Sequence, residues 1–303
     1  MTRCIITGPA SMLGIALIKE CANNGVDVTA VSRPGSGRNI LIPASKGIHV
    51  TECGLEEMES LPKRLKGKYD VFFHLGWSHT DKEGRVDPEL QGKNIKYTID
   101  AVKAASELGC KVFVGAGSQA EYGKISGKVS ENAPISPVMA YGIAKYAAGR
   151  ISSILCGKLG IRHVWLRIFS VYGPHNRNDN MITYCMAKLL RGEKPSLTKC
   201  EQEWDYLYSA DAAKALRLAF EKGTNGAVYN VGSGRTKKLS EYVKIMRDAI
   251  NPSLPLGFGD IEYPDGQVMK LCADIAAFSM ETGFKPETDF KDGIIETISI
   301  HKK

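Results

Sequence analysis

The sequence lacks three features that would each have pointed to a particular class of protein. No apolar run reaches the length of about 18 residues that a membrane helix needs, so we expect no membrane partner. The first candidate strand begins near residue 3, which leaves no room for a signal peptide and predicts a cytoplasmic protein. The eight cysteines are dispersed without a Cys-x-x-Cys pair. This spacing fits neither a disulfide framework nor a structural zinc site, so we predict reduced thiols and no metal.

The net charge is the next constraint on the choice of partner. The formal charge is +7, which favours anionic partners without naming one. The densest basic stretch, residues 63–68, has no interleaved aromatic residues and is typical of a solvated loop. We therefore expect no nucleic-acid surface, whereas a substrate that carries a diphosphate would suit this charge.

Short β-branched and aromatic runs alternate with helical patterns through the first 170 or so residues. The candidate strands are 3–7, 27–32, 48–51, 70–75, 111–116 and 163–168. The candidate helices are about 12–24, 55–66, 88–109 and 138–159. This alternation predicts an α/β fold with a doubly wound parallel sheet that is covered on both faces.

The regular alternation of strand and helix patterns ends after residue 173, which suggests a second, smaller region. A further helix is predicted at 181–191, another at 210–221, and a strand at 227–231. We expect residues 1–172 to form a dinucleotide-binding domain, with 226–252 returning to it. Residues 173–225 and 253–303 would then form a discontinuous substrate-binding region.

A glycine-rich turn follows the first strand and opens a helix. Glycines at positions 8 and 14 permit close approach of the backbone to a pyrophosphate and of the helix to the strand. The helix N-terminus then offers free N–H groups to the phosphates. The predicted cofactor-binding residues of this turn are Thr7, Gly8, Ser11, Met12, Leu13 and Gly14.

The end of the second strand bears on the choice of cofactor. NAD-binding proteins carry a carboxylate there, which accepts from the ribose hydroxyls. This chain has Ser32 and Arg33, with Arg38 nearby. A hydroxyl and guanidinium groups suit the 2′-phosphate of NADP, so we predict NADP, with NAD possible; a solvent-facing arginine is the alternative interpretation.

Ser118, Tyr141 and Lys145 form the candidate catalytic group. Tyr141 and Lys145 are four residues apart, which places them on one helix face, where the ammonium can stabilise a phenolate. Ser118 lies just beyond a predicted strand, at the edge where α/β sheets bind ligands. Together they could move a proton at a carbonyl while a bound nicotinamide moves a hydride. A surface pair of Tyr and Lys is the alternative for the two helical residues.

These residues together resemble the extended short-chain dehydrogenase/reductase family of NAD(P)-dependent nucleotide-sugar epimerases, dehydratases and ketoreductases. The matching pieces span almost the whole chain: residues 7–14, 74–76, Asn94, 117–123, Tyr141-x-x-x-Lys145, 166–174, 204–206, Asp211 and 229–234. The resemblance implies a Rossmann domain and a small C-terminal domain, with a nucleotide-diphosphate sugar bound between them. It also implies cofactor contacts at Leu75, Gly76, Tyr141 and Lys145, and a homodimer formed through helices 88–109 and 138–159.

Departures from the family pattern narrow the expected chemistry. Sugar 4,6-dehydratases carry Asp-Glu where this chain has Gln119-Ala120, so dehydration is not expected unless Glu121 substitutes. UDP-galactose 4-epimerases carry Asn at the position of Ser170 and Arg at that of Trp204, and NAD-retaining epimerases carry an acid at the position of Ser32. The absence of these residues counts against a UDP-hexose epimerase. The amino-acid sequence of residues 118–123 and 204–206 looks more like that of 4-keto-6-deoxyhexose reductases.

Three functions follow from this comparison. The first is NADPH-dependent reduction of a nucleotide-bound 4-keto(-6-deoxy)hexose, the second is a nucleotide-sugar 4-epimerase with tightly bound NAD, and the third is a non-catalytic dinucleotide sensor. Relatives of the third kind commonly lack the Tyr or the Lys, and both are present here. The predicted substrate-binding residues are Gln119, Glu121, Ser170, His175, Asn176 and Trp204. A plain loop is the alternative for His175, Asn176 and the adjacent Arg177, and a core aromatic is the alternative for Trp204.

Overall fold

The structure is a computed structural model that describes residues 1–176 and 180–301. Arg177 lies outside the described residues. The strands within this range are β1 (Arg3–Thr7), β2 (Asp27–Ser32), β3 (Ile48–Glu52), β4 (Val71–His74), β5 (Val112–Ser118), β6 (Gly127–Val129), β7 (Arg162–Ile168), β8 (Ser170–Tyr172), β9 (Ser196–Leu197), β10 (Glu203–Trp204), β11 (Tyr206–Tyr208), β12 (Ala227–Val231), β13 (Lys237–Lys238), β14 (Gly257–Phe258) and β15 (Lys270–Ala273). The helices are α1 (Met12–Asn23), α2 (Leu61–Arg64), α3 (Pro88–Glu107), α4 (Ala140–Leu159), α5 (Met181–Leu190), α6 (Ser209–Lys222), α7 (Leu239–Ile250), α8 (Ala276–Thr282) and α9 (Phe290–His301).

Seven parallel strands form the central sheet in the order β12-β7-β5-β4-β1-β2-β3. The register runs in parallel throughout, with Ile5 opposite Thr29 on one side and Phe72 on the other. The strand order reverses between β1 and β4, and the carboxyl ends of strands at such a reversal form the crevice where α/β proteins bind ligands. This topology confirms the predicted doubly wound parallel α/β fold.

The strands are apolar on both faces because helices cover both sides of the sheet. Ile6 and Phe73 belong to the cluster under α1 and α6, whereas the neighbouring Ile5 and Phe72 belong to the opposite cluster, which α3 and α4 cover. Alternate residues of a strand point to opposite faces, so consecutive apolar residues fill both layers. The near-continuous hydrophobic runs of β1 and β4 follow from this arrangement.

Two elements differ from the sequence-based prediction. The helix expected at 55–66 is a 3-10 segment, Leu55–Ser60, followed by the single turn of α2. Pro62 explains the break, because proline has no N–H and clashes with the carbonyl four residues earlier, although it is well suited to the first turn of a new helix. The strand predicted at 111–116 extends to Ser118, which is therefore the last residue of β5 and not beyond it.

A second apolar cluster is built from the later part of the chain. Helices α5, α7 and α9 pack together around aromatic side chains that include Tyr172, Tyr242 and Phe290. Residues 226–252, which were expected to return to the first domain, contribute to both the central sheet and this second cluster. β12 pairs in parallel with β7 in the central sheet, while α7 packs on α5 and α9.

No helix in the two described ranges combines the length and the apolar character needed to cross a membrane.

Candidate active site

The glycine-rich turn between β1 and α1 is closed by Ser11. Its hydroxyl donates to the Gly8 carbonyl at 2.8 Å and accepts from the Gly14 N–H at 3.0 Å, so it caps the helix. Gly8 has φ of +68°, and a Cβ at Gly14 would overlap the Gly8 carbonyl oxygen. Ser11, midway between the two glycines, is thus a helix cap, and the first turn of α1 carries no acidic residue that would repel a phosphate.

A buried chain of hydrogen bonds fixes the ends of β1 and β4 against α3. The Thr7 hydroxyl accepts from the Leu75 and Gly76 N–H groups, at 3.1 and 2.9 Å, so its own proton points to Nδ1 of His74 at 3.1 Å. The Thr98 hydroxyl donates to the Asn94 carbonyl, so it accepts from Nε2 of His74. His74 is therefore neutral with the proton on Nε2. Burial, assisted by the Lys145 charge, lowers its pKa to about 3.

The predicted 2′-phosphate residues at the end of β2 have different environments. Ser32 is 1% exposed, and its hydroxyl has no hydrogen-bond partner among the described residues, while Arg33 is exposed. Arg38 donates from Nε and Nη2 to the Ala10 carbonyl, at 3.0 and 2.8 Å, and from Nη2 to the His175 carbonyl at 3.1 Å. It therefore links the glycine-rich turn to the loop after β8.

Ser118, Tyr141 and Lys145 lie together at the carboxyl edge of the sheet. Ser118 ends β5, and its side chain interacts with the Tyr141 hydroxyl, while Lys145, one turn further along α4, donates to the Ala116 carbonyl at 2.7 Å. Burial raises the pKa of Tyr141, with the Arg85 charge and the Ser118 hydroxyl opposing it. Burial lowers the pKa of Lys145 to about 7. The arrangement provides a phenol, a hydroxyl and a tunable ammonium in one place.

Two residues at this site were missed by sequence reasoning. The Lys145 ammonium lies 3.7 Å from the centre of the Trp77 ring, and the Arg85 guanidinium carbon lies 4.5 Å from the centre of the Tyr141 ring. Both residues come from the segment between β4 and α3, which has no helical or strand pattern. The signal that could have found them was the presence of a tryptophan and an arginine after residues 74–76, which match the family pattern.

Glu121 was expected among the substrate-binding residues, but it faces the interior of the protein. It is 1% exposed and forms an ion pair with Arg167 at 2.8 Å. Its other oxygen accepts from the Trp165 indole at 3.0 Å and from the Ser118 N–H at 2.9 Å. Glu121 thus supports Ser118 from behind the site, because three donors occupy the carboxylate. The neighbouring Gln119 is partly buried, and its side-chain oxygen has no partner among the described residues.

The other predicted substrate-binding residues lie after β7. The Trp204 indole donates to the Ser170 hydroxyl at 2.9 Å, so the structure brings these two together. His175 has a left-handed φ of +63°, and the adjacent Asn176 is 8% exposed. Across residues 1–176 and 180–301, no group of three or more His, Cys, Asp or Glu side chains is placed to hold a metal.

The glycine-rich turn suits a dinucleotide, because the lack of a Cβ at Gly8 and Gly14 lets the backbone segments approach closely and the first turn of α1 has no acidic residue. Such a turn beside a Ser/Tyr/Lys cluster on a seven-stranded parallel sheet is characteristic of an enzyme of the extended short-chain dehydrogenase/reductase type. The chain belongs to the NAD dependent epimerase/dehydratase family, whose model matches residues 4–232. Membership supports binding of a nicotinamide dinucleotide without deciding between NAD and NADP.

Similar proteins cover the chain from end to end. An uncharacterized UDP-glucose epimerase of Bacillus subtilis (strain 168), YtcB, is 27% identical over 97% of this chain and 96% of its own length. A UDP-N-acetylglucosamine 4-epimerase from Methanobrevibacter ruminantium M1, solved with UDP-N-acetylmuramic acid, has a TM-score of 0.87 at 21% identity, covering 99% of this chain and 98% of that one. RMD from Pseudomonas aeruginosa, solved with NADPH, has a TM-score of 0.81 at 21% identity, with coverage of 99% and 98%.

Proposed function

We propose that this enzyme is a nucleotide-sugar 4-epimerase that works with NAD. The observation that carries the proposal is the cluster of Ser118, Tyr141 and Lys145 at the carboxyl edge, combined with the burial of Glu121 away from it. The cluster can remove and return the hydroxyl proton at one carbon while a bound dinucleotide would take and return the hydride, which is what this route of epimerisation requires. The epimerase relatives support the same choice.

Each residue of the cluster has a defined task in this proposal. A bound dinucleotide would accept the hydride from the reacting carbon of the sugar and return it. Tyr141 takes the proton of the hydroxyl on that carbon and gives it back after the keto sugar has presented its other face. Ser118 hydrogen-bonds the same oxygen, and Lys145 stabilises the phenolate. General acid–base help of this kind contributes roughly 10²–10⁴-fold to the rate.

Elimination of water is not supported by the side chains of this site. A 4,6-dehydration needs a free acid and a free base near the sugar in addition to the tyrosine. Gln119 and Ala120 cannot supply them, and the carboxylate of Glu121 is held by Arg167, Trp165 and Ser118. The dehydratase branch of the family is therefore the weaker proposal.

A specific observation keeps a second candidate, the NADPH-dependent reduction of a nucleotide-bound 4-keto(-6-deoxy)hexose. The end of β2 carries Ser32 and Arg33 and no carboxylate for the ribose hydroxyls of NAD. Against it, Arg38 donates two of its nitrogens to backbone carbonyls, which makes it less available to a 2′-phosphate. The NAD-dependent 4-epimerase is the better supported of the two.

The two candidates differ in what happens to the cofactor. We expect purified protein to release NAD on denaturation and to convert UDP-glucose or UDP-N-acetylglucosamine to its C4 epimer without added cofactor, as followed by proton NMR. Tyr141→Phe should retain the dinucleotide and lose turnover by about 10²-fold or more. Protein that purifies empty and oxidises NADPH with dTDP-4-keto-6-deoxyglucose would instead support the reductase. Equal turnover by wild type and Tyr141→Phe would overturn both candidates, whereas a wild-type protein that binds a dinucleotide and turns over neither substrate would support the dinucleotide sensor.

We further propose a cytoplasmic homodimer that pairs through α3 and α4. The outer face of α4 carries Ile143, Ile151 and Ile154, which are 52%, 39% and 59% exposed. Three isoleucines on one exposed helix face suit a second copy of the chain better than water. Sedimentation of Ile154→Lys against wild type tests this pairing, and an unchanged mass would contradict it.

A further inference from the structure

We propose that Arg85 is a positioning residue that makes Tyr141 a stronger acid by holding a permanent positive charge against its ring. The inference rests on the proposed role of Tyr141 as the proton carrier and adds a residue that lies outside the Ser118, Tyr141 and Lys145 cluster. It concerns how the unliganded protein prepares the phenol, so it can be tested without a substrate.

The contact between the two residues involves both side chain and backbone. The guanidinium carbon lies 4.5 Å from the centre of the Tyr141 ring, and the side chain also reaches the phenol hydroxyl. The Tyr141 N–H donates to the Arg85 carbonyl at 3.0 Å, which ties the start of α4 to the loop. A cation over an aromatic ring is attracted to it, and the attraction grows when the ring bears the negative charge of a phenolate.

The loop that delivers Arg85 is held by a buried amide. Gln91 is 1% exposed, and it accepts from the Trp77 indole at 2.8 Å. Its amide nitrogen donates to the His79 carbonyl at 2.8 Å and to the Gly84 carbonyl at 2.9 Å. The two polar atoms of the Gln91 side chain thus fix three points of the loop. Arg85 therefore follows a segment whose path is set by the interior, unlike an arginine on a free surface loop.

Among the residues that the structure describes, no carboxylate forms an ion pair with Arg85. Ion pairs of arginine in the described part of the chain involve Arg3, Arg64, Arg167, Arg191, Arg217 and Arg247, and not Arg85. The Nε atom of Arg85 is buried and has no hydrogen-bond partner among the described residues. The charge therefore acts on the phenol and also on Lys145, whose pKa it helps to lower.

Arg85 must be weighed against the other groups that face Tyr141. Glu121, from the turn after β5, acts to raise the pKa of Tyr141, but its charge is shared with Arg167. Lys145 lies on the same helix as Tyr141, and burial lowers its pKa to about 7, so a large part of its charge is lost just above neutral pH. A guanidinium stays protonated throughout this range. Arg85 is thus the cation that persists when the phenol has to ionise.

The test is a pH titration of Tyr141 in the unliganded full-length protein, followed by NMR of Cζ-labelled tyrosine, with the Tyr141 signal assigned from Tyr141→Phe. We expect Arg85→Gln to raise the titration midpoint by about one pH unit or more, and Arg85→Lys to raise it less, because a charge is retained. Lys82→Gln, an exposed charge on the same loop, is the matched control and should leave the midpoint unchanged.

Signals of the other tyrosines report whether each variant is folded, and Arg85→Lys carries the test if Arg85→Gln is not. Midpoints that coincide in wild type and in both folded variants, or in wild type and Arg85→Lys where only that variant folds, would overturn the inference. Because no substrate is used, this failure would leave the epimerase proposal standing. Conversely, if the protein does not catalyse epimerisation, the titration midpoints of Tyr141 are unaffected and the inference about Arg85 can still be tested.

Discussion

The Lys145 ammonium lies between the Trp77 ring, whose centre is 3.7 Å away, and the Ala116 carbonyl, to which it donates at 2.7 Å. Both partners attract a cation, but neither carries a negative charge. Burial therefore dominates and lowers the pKa of Lys145 to about 7. A buried charge with incomplete compensation is typical of functional sites, where stability is given up for chemistry.

Replacing Lys145 should make the protein more stable and inactive. We expect Lys145→Met to raise the free energy of unfolding at pH 7 by about 1–3 kcal/mol, because an apolar chain of similar length removes the desolvation cost. The folded-state pKa of Lys145 lies below its ordinary value of 10.5, so the unfolded chain binds more protons between about pH 7 and 10.5. The Lys145 contribution should therefore make the free energy of unfolding of the wild type rise with pH across this window, and Lys145→Met should lack this contribution. Urea unfolding measures the difference.

The control for this prediction lies on the same helix. Lys158, in the last turn of α4, is exposed, and Lys158→Met should leave both the stability and its pH dependence nearly unchanged. A Lys145→Met protein that unfolds more readily than wild type at neutral pH would contradict the account of Lys145 as an uncompensated charge.

The buried ion pair behind Ser118 should be costly to break. Glu121→Gln keeps the shape but leaves the Arg167 charge unpaired and turns one amide N–H₂ group toward a donor, since all three partners of Glu121 donate. We expect a loss of about 3–5 kcal/mol in the free energy of unfolding. Glu193→Gln, which removes an exposed pair with Arg191, is the control and should change stability little. Similar losses in the two variants would show that Glu121 has no special structural role.

The parts of this molecule that sequence could predict are those that depend on near neighbours in the chain. The strand-helix alternation and the turn from Gly8 to Gly14 belong to this group, and so does the helical spacing of Tyr141 and Lys145. The burial of Glu121 was not predicted, because the orientation of its side chain depends on Arg167, which is 46 residues away. Arg85 was missed because its path is set by Gln91 through hydrogen bonds to loop carbonyls, a contact that no periodic pattern announces.

A methyl group in the glycine-rich turn should weaken dinucleotide binding. A Cβ at Gly14 would overlap the Gly8 carbonyl oxygen and come within 2.8 Å of the Pro9 Cα, so Gly14→Ala must displace the start of α1. We expect affinity for NAD and for NADP to fall at least about tenfold by calorimetry, since the backbone N–H groups no longer converge on the phosphates. Gly92→Ala, at a helical position with open space around it, should bind normally and gain up to about 1 kcal/mol of stability. Unchanged affinity in Gly14→Ala would exclude this turn as the cofactor site.

The buried imidazole of His74 should make the protein sensitive to mild acid. Burial lowers the pKa of His74 to about 3, whereas the unfolded chain protonates it at its ordinary value of 6.5. The unfolded state therefore binds more protons between these values, and stability falls as the pH falls from about 6.5 toward 3. At about pH 5 this single group should cost about 2 kcal/mol relative to pH 7.

His74→Asn keeps hydrogen-bonding groups toward Thr7 and Thr98 but does not titrate. It should be less stable at pH 7, since the ring also packs against Phe72 and Phe113, yet lose less stability on acidification. Urea unfolding at the two pH values measures the difference, with the exposed His49→Asn as the control that should retain the wild-type slope. An acid dependence in His74→Asn as steep as that of wild type would assign the effect to other groups, of which the buried His163 is the first to examine.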